Sequence, residues 1–241
     1  MTPKSMSISN QFLIQECRAI IKKLRTFEDQ NLSLDSIDES LRNKAILGGQ
    51  YILNRLDKSA VRRGFDGMRY ASFRANEEEI YRNARKLTML KRPIHRILSV
   101  GAGPLIYEAL LLNLGFANEI VAVDLSEKIM QRSIEALDLS NVKIVAADFE
   151  NFEIIERFDL ILCASSIHWF SDPQVTLNRL CTYAELYDSA LFITTYRNFF
   201  SRDVGLGVNS VRNFKSVSVE SMIVPHQLTS EELEILEFIR K

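Results

Sequence analysis

Glycines and acids suited to holding a ligand stand at the ends of short apolar runs. In RILSVGAGP, residues 96–104, an apolar run ends in Gly101-Ala102-Gly103-Pro104. Glycine removes the Cβ that would hold a ligand away from the backbone, and a helix starting just beyond offers free N–H groups. Pro104 is expected to begin that helix, where its missing N–H costs little. A second run, IVAVD, ends in Asp124, 23 residues after Gly101. An acid there can accept from both hydroxyls of a ribose, or serve only the entry of the helix that Ser126 caps. A third run, KIVAAD, ends in Asp148-Phe149. The carboxylate suits an exocyclic amine and the ring suits a base, with an ordinary loop acid as the alternative. Together the three strand ends describe a nucleotide-like cofactor. A nicotinamide dinucleotide fits poorly, because the third glycine of its fingerprint falls at Ile106.

Such groups need a sheet to aim them. After Pro93, the apolar segments RILSV, EIVAV, VKIVAA, FDLILCA and ALFITTY alternate with the helical segments PLIYEALLLNLG, SEKIMQRSIEAL and PQVTLNRLCTYAEL. That alternation predicts α/β architecture with a parallel sheet covered on both faces, and ligands bind beyond the carboxyl ends of its strands. FKSVSVESMIVP and EELEILEFIRK add two possible strands, suited to an antiparallel pair closing one edge.

The first 92 residues read as helices. Phe12, Leu13, Cys17, Ile20, Ile21 and Leu24 recur at helical steps. A second segment, from caps at Asp35 or Ser36, is weakened at Gly48-Gly49, and GFDG, residues 64–67, reads as a turn. NEEEIYRNARKLTML has a cap at Asn76 and three glutamates at its positive end. The expected division is therefore a helical extension or lid, 1–92, and a cofactor-binding domain, 93–241.

A chain of 241 residues with 46% hydrophobic and 25% charged residues can bury a substantial core. Residues 1–92 hold 18 Lys+Arg against 11 Asp+Glu, and residues 93–241 hold 12 against 20. The basic part could face an anionic partner or the acidic part of its own chain. No apolar run is long enough for a membrane span, and no secretory leader is read at the start, so a cytoplasmic protein is expected. Cys17, Cys163 and Cys181 are odd in number and widely spaced, which suits buried thiols in a reducing compartment and offers no zinc pattern.

The motifs resemble those of the class I S-adenosylmethionine-dependent methyltransferases over roughly residues 66–241. The family's acid-x-Gly-x-Gly-x-Gly appears as Ser99-Val100-Gly101-Ala102-Gly103-Pro104-Leu105, with the first acid and the last glycine replaced. Some small-molecule N-methyltransferases share the proline variant. FDLILCASSIHWFSDP resembles the branch with a His-Trp pair, including trans-aconitate and malonyl-carrier-protein methyltransferases. RYASFRANEEEIY resembles a segment of the same branch at Tyr70, Phe73 and Arg74.

The resemblance implies a Rossmann-like, doubly wound, mostly parallel seven-stranded sheet and S-adenosyl-L-methionine as cofactor, leaving as S-adenosyl-L-homocysteine. It implies cofactor contacts at Tyr70, Arg74, Ser99, Gly101, Ala102, Gly103, Asp124, Leu125, Met130, Asp148, Phe149 and Ala164. Ser99 leaves open what contacts the cofactor's amino-acid end, and no metal is implied. His168 is the candidate base for deprotonating a hydroxyl or orienting a carboxylate, with a pocket-wall role as the alternative. His95 and His226 are expected to lie away from the chemistry.

Three functions follow. The first is a methyltransferase for a small-molecule acceptor, by O- or N-methylation; the second acts on RNA through the basic helices. The third is a cofactor-binding protein without catalysis. No oligomeric state is read from the sequence.

Overall fold

The computed structural model describes residues 8–32, 58–73, 77–90, 94–196, 216–225 and 230–239. The expectations for Asp35, Ser36, Gly48-Gly49, Arg74, Asn76, Pro93 and His226 lie outside them. Among the described residues four helices come first: α1 (Asn10–Asn31), α2 (Lys58–Asp66), α3 (Tyr70–Phe73) and α4 (Glu77–Thr88). Then follow β1 (Arg96–Val100), α5 (Ile106–Asn113), β2 (Glu119–Asp124), α6 (Glu127–Leu137), β3 (Val142–Ala146), β4 (Leu160–Ala164), α7 (Pro173–Tyr187) and β5 (Ala190–Tyr196). Short 3-10 turns at Phe149–Asn151 and Ile167–Trp169 follow β3 and β4.

The five strands pair in parallel in the order β3-β2-β1-β4-β5. The chain runs outward from β1 to β3, then returns to β4 beside β1. That reversal opens a crevice at the carboxyl ends of β1 and β4, where open α/β sheets bind ligands. Where seven strands are expected, the parallel sheet has these five. Ser216–Pro225 and Ser230–Ile239 (β6 and β7) are extended, with β7 antiparallel to β5 and to β6.

Alternation along each strand divides the core. Ile97, Ile120, Ala122, Leu160, Leu162 and Phe192 face α1, α4, α5 and α6, while Leu98, Val100, Val123, Ile161, Cys163 and Ile193 face α7. Two buried faces explain why the strands are apolar throughout. Leu13, Cys17, Ile20, Ile21 and Leu24 of α1 pack in the same cluster as the sheet, so the N-terminal helices share one core with it. The three cysteines are free and buried, and burial pushes the Cys163 and Cys181 thiols up to about 12.

Local chemistry sets the helix ends. Ser126 caps α6, its Oγ accepting from Ile129 N at 3.3 Å. Asp172 caps α7 ahead of Pro173, accepting from Val175 N at 3.0 Å. Two expectations need correction. GFDG is not a free turn, because α2 runs through Gly64 to Asp66 and only Gly67 turns. Val61 is buried with Phe65 packed against it, and that apolar face carries the helix past the glycine. Pro104 does not begin α5; it sits in a turn, and the helix starts at Ile106 after a left-handed Leu105.

Candidate active site

The turn after β1 is folded over the end of β2, with Gly101 N donating to Val123 O at 2.8 Å. Gly101 has φ +63°, and a Cβ there would stand 2.5 Å from Ser166 Cβ. Ser166 is held in place by donating to Val100 O at 2.9 Å. Gly103 differs, since at φ +55° its missing Cβ would meet nothing within 4 Å. Gly101 thus serves the close approach of two protein turns, while Gly103 keeps the pocket open. Leu105, where the motif's last glycine is absent, still takes the glycine-like conformation, φ 53° and ψ 31°. That conformation costs a leucine roughly 1–2 kcal/mol. Full burial of its side chain offsets a similar amount.

Asp124 braces this turn. Its Oδ2 accepts from Gly103 N at 2.9 Å and its Oδ1 from Ser126 N at 2.8 Å. Burial raises the carboxyl above its ordinary value, and the backbone N–H bonds oppose that rise. Asp148 closes the turn after β3, accepting from Glu150 N at 3.1 Å and Asn151 Nδ2 at 2.9 Å. Lys58 of α2 is ion-paired with both Asp148 and Glu150. Phe149 is buried below them, edge-on to Phe170 at 6.1 Å, with Arg179 stacked 5.3 Å from its ring centre.

The pocket is roofed by α2. Lys58 ties one end to Asp148 and Glu150, and Asp66 at the other accepts from Ser126 Oγ at 2.6 Å. Between them Phe65 meets Trp169 edge-on at 5.6 Å. The neighbouring wall comes from α3, which α1 holds by the main chain. Arg25 Nε donates to Ala71 O at 2.8 Å, and Glu28 Oε1 accepts from Ala71 N at 2.9 Å. That clamp sets the position of Tyr70, which lines the pocket. From α4, Glu79 accepts from Ser165 Oγ at 2.7 Å.

Ser99 does not stand alone where an acid was expected. Its hydroxyl donates to Glu108 of α5, which lines the same pocket. Glu108 is 1% exposed, and its Oε2 has no hydrogen-bond partner. Burial pushes the carboxyl up to about 7, with the Ser99 hydrogen bond opposing. Tyr107 beside it accepts at its hydroxyl from Asn83 Nδ2 at 2.9 Å, and burial raises its phenol well above the ordinary range.

The pocket gathers Tyr70, Ser99, Gly101, Ala102, Gly103, Asp124, Leu125, Asp148, Phe149 and Ala164. Met130 is not brought there; it is fully buried in the core beneath α6, which corrects its expected contact. Arg74 and the His168 side chain lie outside the described parts, although the His168 backbone is in the 3-10 turn after β4. Sequence reasoning missed Lys58, Glu79 and Glu108. Glu108 carried a legible signal, a lone acid inside the apolar run LIYEALLL. Lys58 and Glu79 carried none, being polar residues on amphipathic helices. His95 is exposed at the opposite end of β1. Among the described residues no cluster of metal-ligating side chains occurs, and no helix is long and apolar enough to cross a membrane.

An S-adenosylmethionine-sized group fits these residues in kind. Gly103 leaves room at the backbone, two acids stand at successive strand ends, and Glu108 offers an unpaired buried oxygen. The matched segment agrees with that reading. Residues 98–183 match the family model described as a methyltransferase domain. Fold and match agree in likeness: residues 98–183, which supply most of the strand ends around this pocket, are similar to a methyltransferase domain.

Two curated relatives are malonyl-[acyl-carrier protein] O-methyltransferases. That of Acetivibrio thermocellus is 24% identical over 140 residues, covering 58% of this chain and 48% of the relative. That of Anoxybacillus flavithermus is 26% identical over 145 residues, covering 58% and 54%. The chain thus spans about half the length of these relatives. Among solved structures, the N-methyltransferase NodS from Bradyrhizobium japonicum with S-adenosyl-L-homocysteine shares the fold. Its TM-score is 0.55 at 12% identity, covering 72% of this chain and 92% of that one.

Proposed function

We propose that this chain transfers a methyl group from S-adenosylmethionine to a small-molecule acceptor. The roof over the pocket carries this reading: α2 is tied down at Lys58 and at Asp66, with Phe65 against Trp169 between. An enclosed site of this kind suits a compact acceptor. When bound, S-adenosylmethionine supplies an electrophilic methyl on a sulfonium. The chain's own residues then orient and desolvate. Asp124 accepts from ribose hydroxyls, Asp148 accepts from the adenine amine, and Gly103 admits the ligand to the backbone. His168, directly after β4, takes the acceptor proton on an imidazole nitrogen or orients an acceptor carboxylate.

The curated relatives support O-methylation, and a malonyl thioester is the first acceptor to try. Several cations among the described N-terminal residues weigh against RNA. Arg18 and Arg25 pair with Glu77, Arg69 with Asp29, Arg62 with Asp66 and Arg82 with Glu78. Cations facing carboxylates of their own chain do not lay out a phosphate track. The lid role of residues 1–92, completion of the sheet to seven strands by β6 and β7, and action in the cytoplasm belong to the same proposal.

The test is incubation with isotopically labelled S-adenosylmethionine and an acceptor panel, read by product mass. Label in a small acceptor is the expected result. Label in RNA fragments alone, lost steeply with salt, would replace the acceptor class. Cofactor binding with no label in any acceptor would leave a binding protein.

A further inference from the structure

Position 99 holds a serine where the motif has an acid, yet the carboxylate is not missing from the pocket. It reaches the same place from α5, with Glu108 Oε1 accepting from Ser99 Oγ and Oε2 left unpaired. A buried carboxylate with one unanswered oxygen is costly unless a cation or donor meets it. We propose that Glu108 is the residue that accepts the α-ammonium group of the cofactor. This rests on the cofactor reading above and assigns the contact that Ser99 left open. Ser99 becomes a positioning residue, fixing the rotamer of Glu108 through its hydroxyl.

The surroundings suit a cation. Asp124 of β2 and the phenol of Tyr107 bear on Glu108 electrostatically, and Glu79 of α4 and Tyr70 of α3 line the same pocket. Lys58, the cation lining that pocket among the described residues, is already paired with Asp148 and Glu150. An ammonium entering beside Glu108 favours its ionised form, so binding releases a proton wherever the empty site holds one.

The experiment is titration calorimetry with S-adenosyl-L-homocysteine and with 5′-methylthioadenosine, which lacks the amino-acid end. For the wild type, affinity for the first compound should rise about tenfold from pH 6 to pH 8, with net proton release at the lower pH. Affinity for the second should stay flat. Glu108→Gln should weaken the first compound ~10- to 100-fold and abolish its pH dependence, leaving the second within about twofold. Binding of 5′-methylthioadenosine reports that the variant is folded at the site. The flat profile of the variant separates Glu108 from any other titrating group. Glu108→Gln behaving as wild type, or losing both compounds equally, would overturn the assignment while leaving the cofactor reading standing. If the variant does not fold, a wild-type profile flat for both compounds overturns it equally. Wild-type protein that binds neither compound would remove the cofactor reading, and this inference with it.

Discussion

Gly101 and Ser166 are packed so closely that a Cβ at position 101 would stand 2.5 Å from Ser166 Cβ. The turns after β1 and β4 meet there. Gly101→Ala therefore adds a clash to the strain of an L-residue at φ +63°. It should cost about 2–4 kcal/mol, lowering Tm by roughly 5–15 °C. Gly103→Ala, with nothing within 4 Å of its Cβ, should cost only about 1 kcal/mol. Its added methyl should nonetheless weaken S-adenosyl-L-homocysteine binding. Thermal melts and calorimetry on both variants check the contrast; equal melting losses would refute it.

Asp124 is held by the main chain on both carboxylate oxygens, through Gly103 N and Ser126 N. Asp124→Ala should weaken S-adenosyl-L-homocysteine by at least ~10-fold, because a charged acceptor is lost and the turn it braces loosens. Unchanged affinity in a folded variant would sink the ribose assignment.

Glu108 also makes a stability prediction independent of any ligand. Its carboxyl is pushed up to about 7, so between the ordinary value of 4.5 and 7 the folded chain holds a proton that the unfolded chain releases. Its contribution to stability therefore falls as pH rises through that window, and the loss persists above it, of order 3 kcal/mol. Glu108→Gln should melt about 5 °C or more above wild type at pH 8, with the difference vanishing near pH 4.5. Melting curves across that range decide it.

Lys58 ties α2 to Asp148 and Glu150 with a partly exposed ammonium. Lys58→Met should change global stability by no more than about 1 kcal/mol. It should speed S-adenosyl-L-homocysteine dissociation about 3- to 10-fold by loosening one end of the roof. Trp169 is the chain's one tryptophan and faces Phe65 of that roof, so stopped-flow fluorescence reads the step directly. An unchanged rate would show that this end of α2 does not restrain the ligand.

The strands, the glycine turn, the Ser126 cap and the two strand-end acids were legible because each is a local signal. Apolar runs with a turn residue beyond them need no knowledge of distant partners. What stayed hidden is long-range. Lys58 meets Asp148 from 90 positions away, and Arg25 finds a carbonyl 46 positions on. Helical periodicity shows which face is buried, not what lies against it. Local rules failed where packing overrode them: Gly64 did not end α2, Leu105 took a left-handed backbone, and Met130 went into the core.

The clamp of α1 on Ala71 separates two ways of measuring this protein. The segment that matches the methyltransferase-domain model runs over residues 98–183. The wall of the pocket depends on Arg25 and Glu28, far upstream of that segment, gripping a main chain that carries Tyr70. A shortened chain that kept only the shared segment would keep the glycine turn and lose that wall. The part that must fold together is therefore longer than the segment that the domain model matches. Because the grip is on backbone atoms, side chains around it are free to drift while its path is preserved.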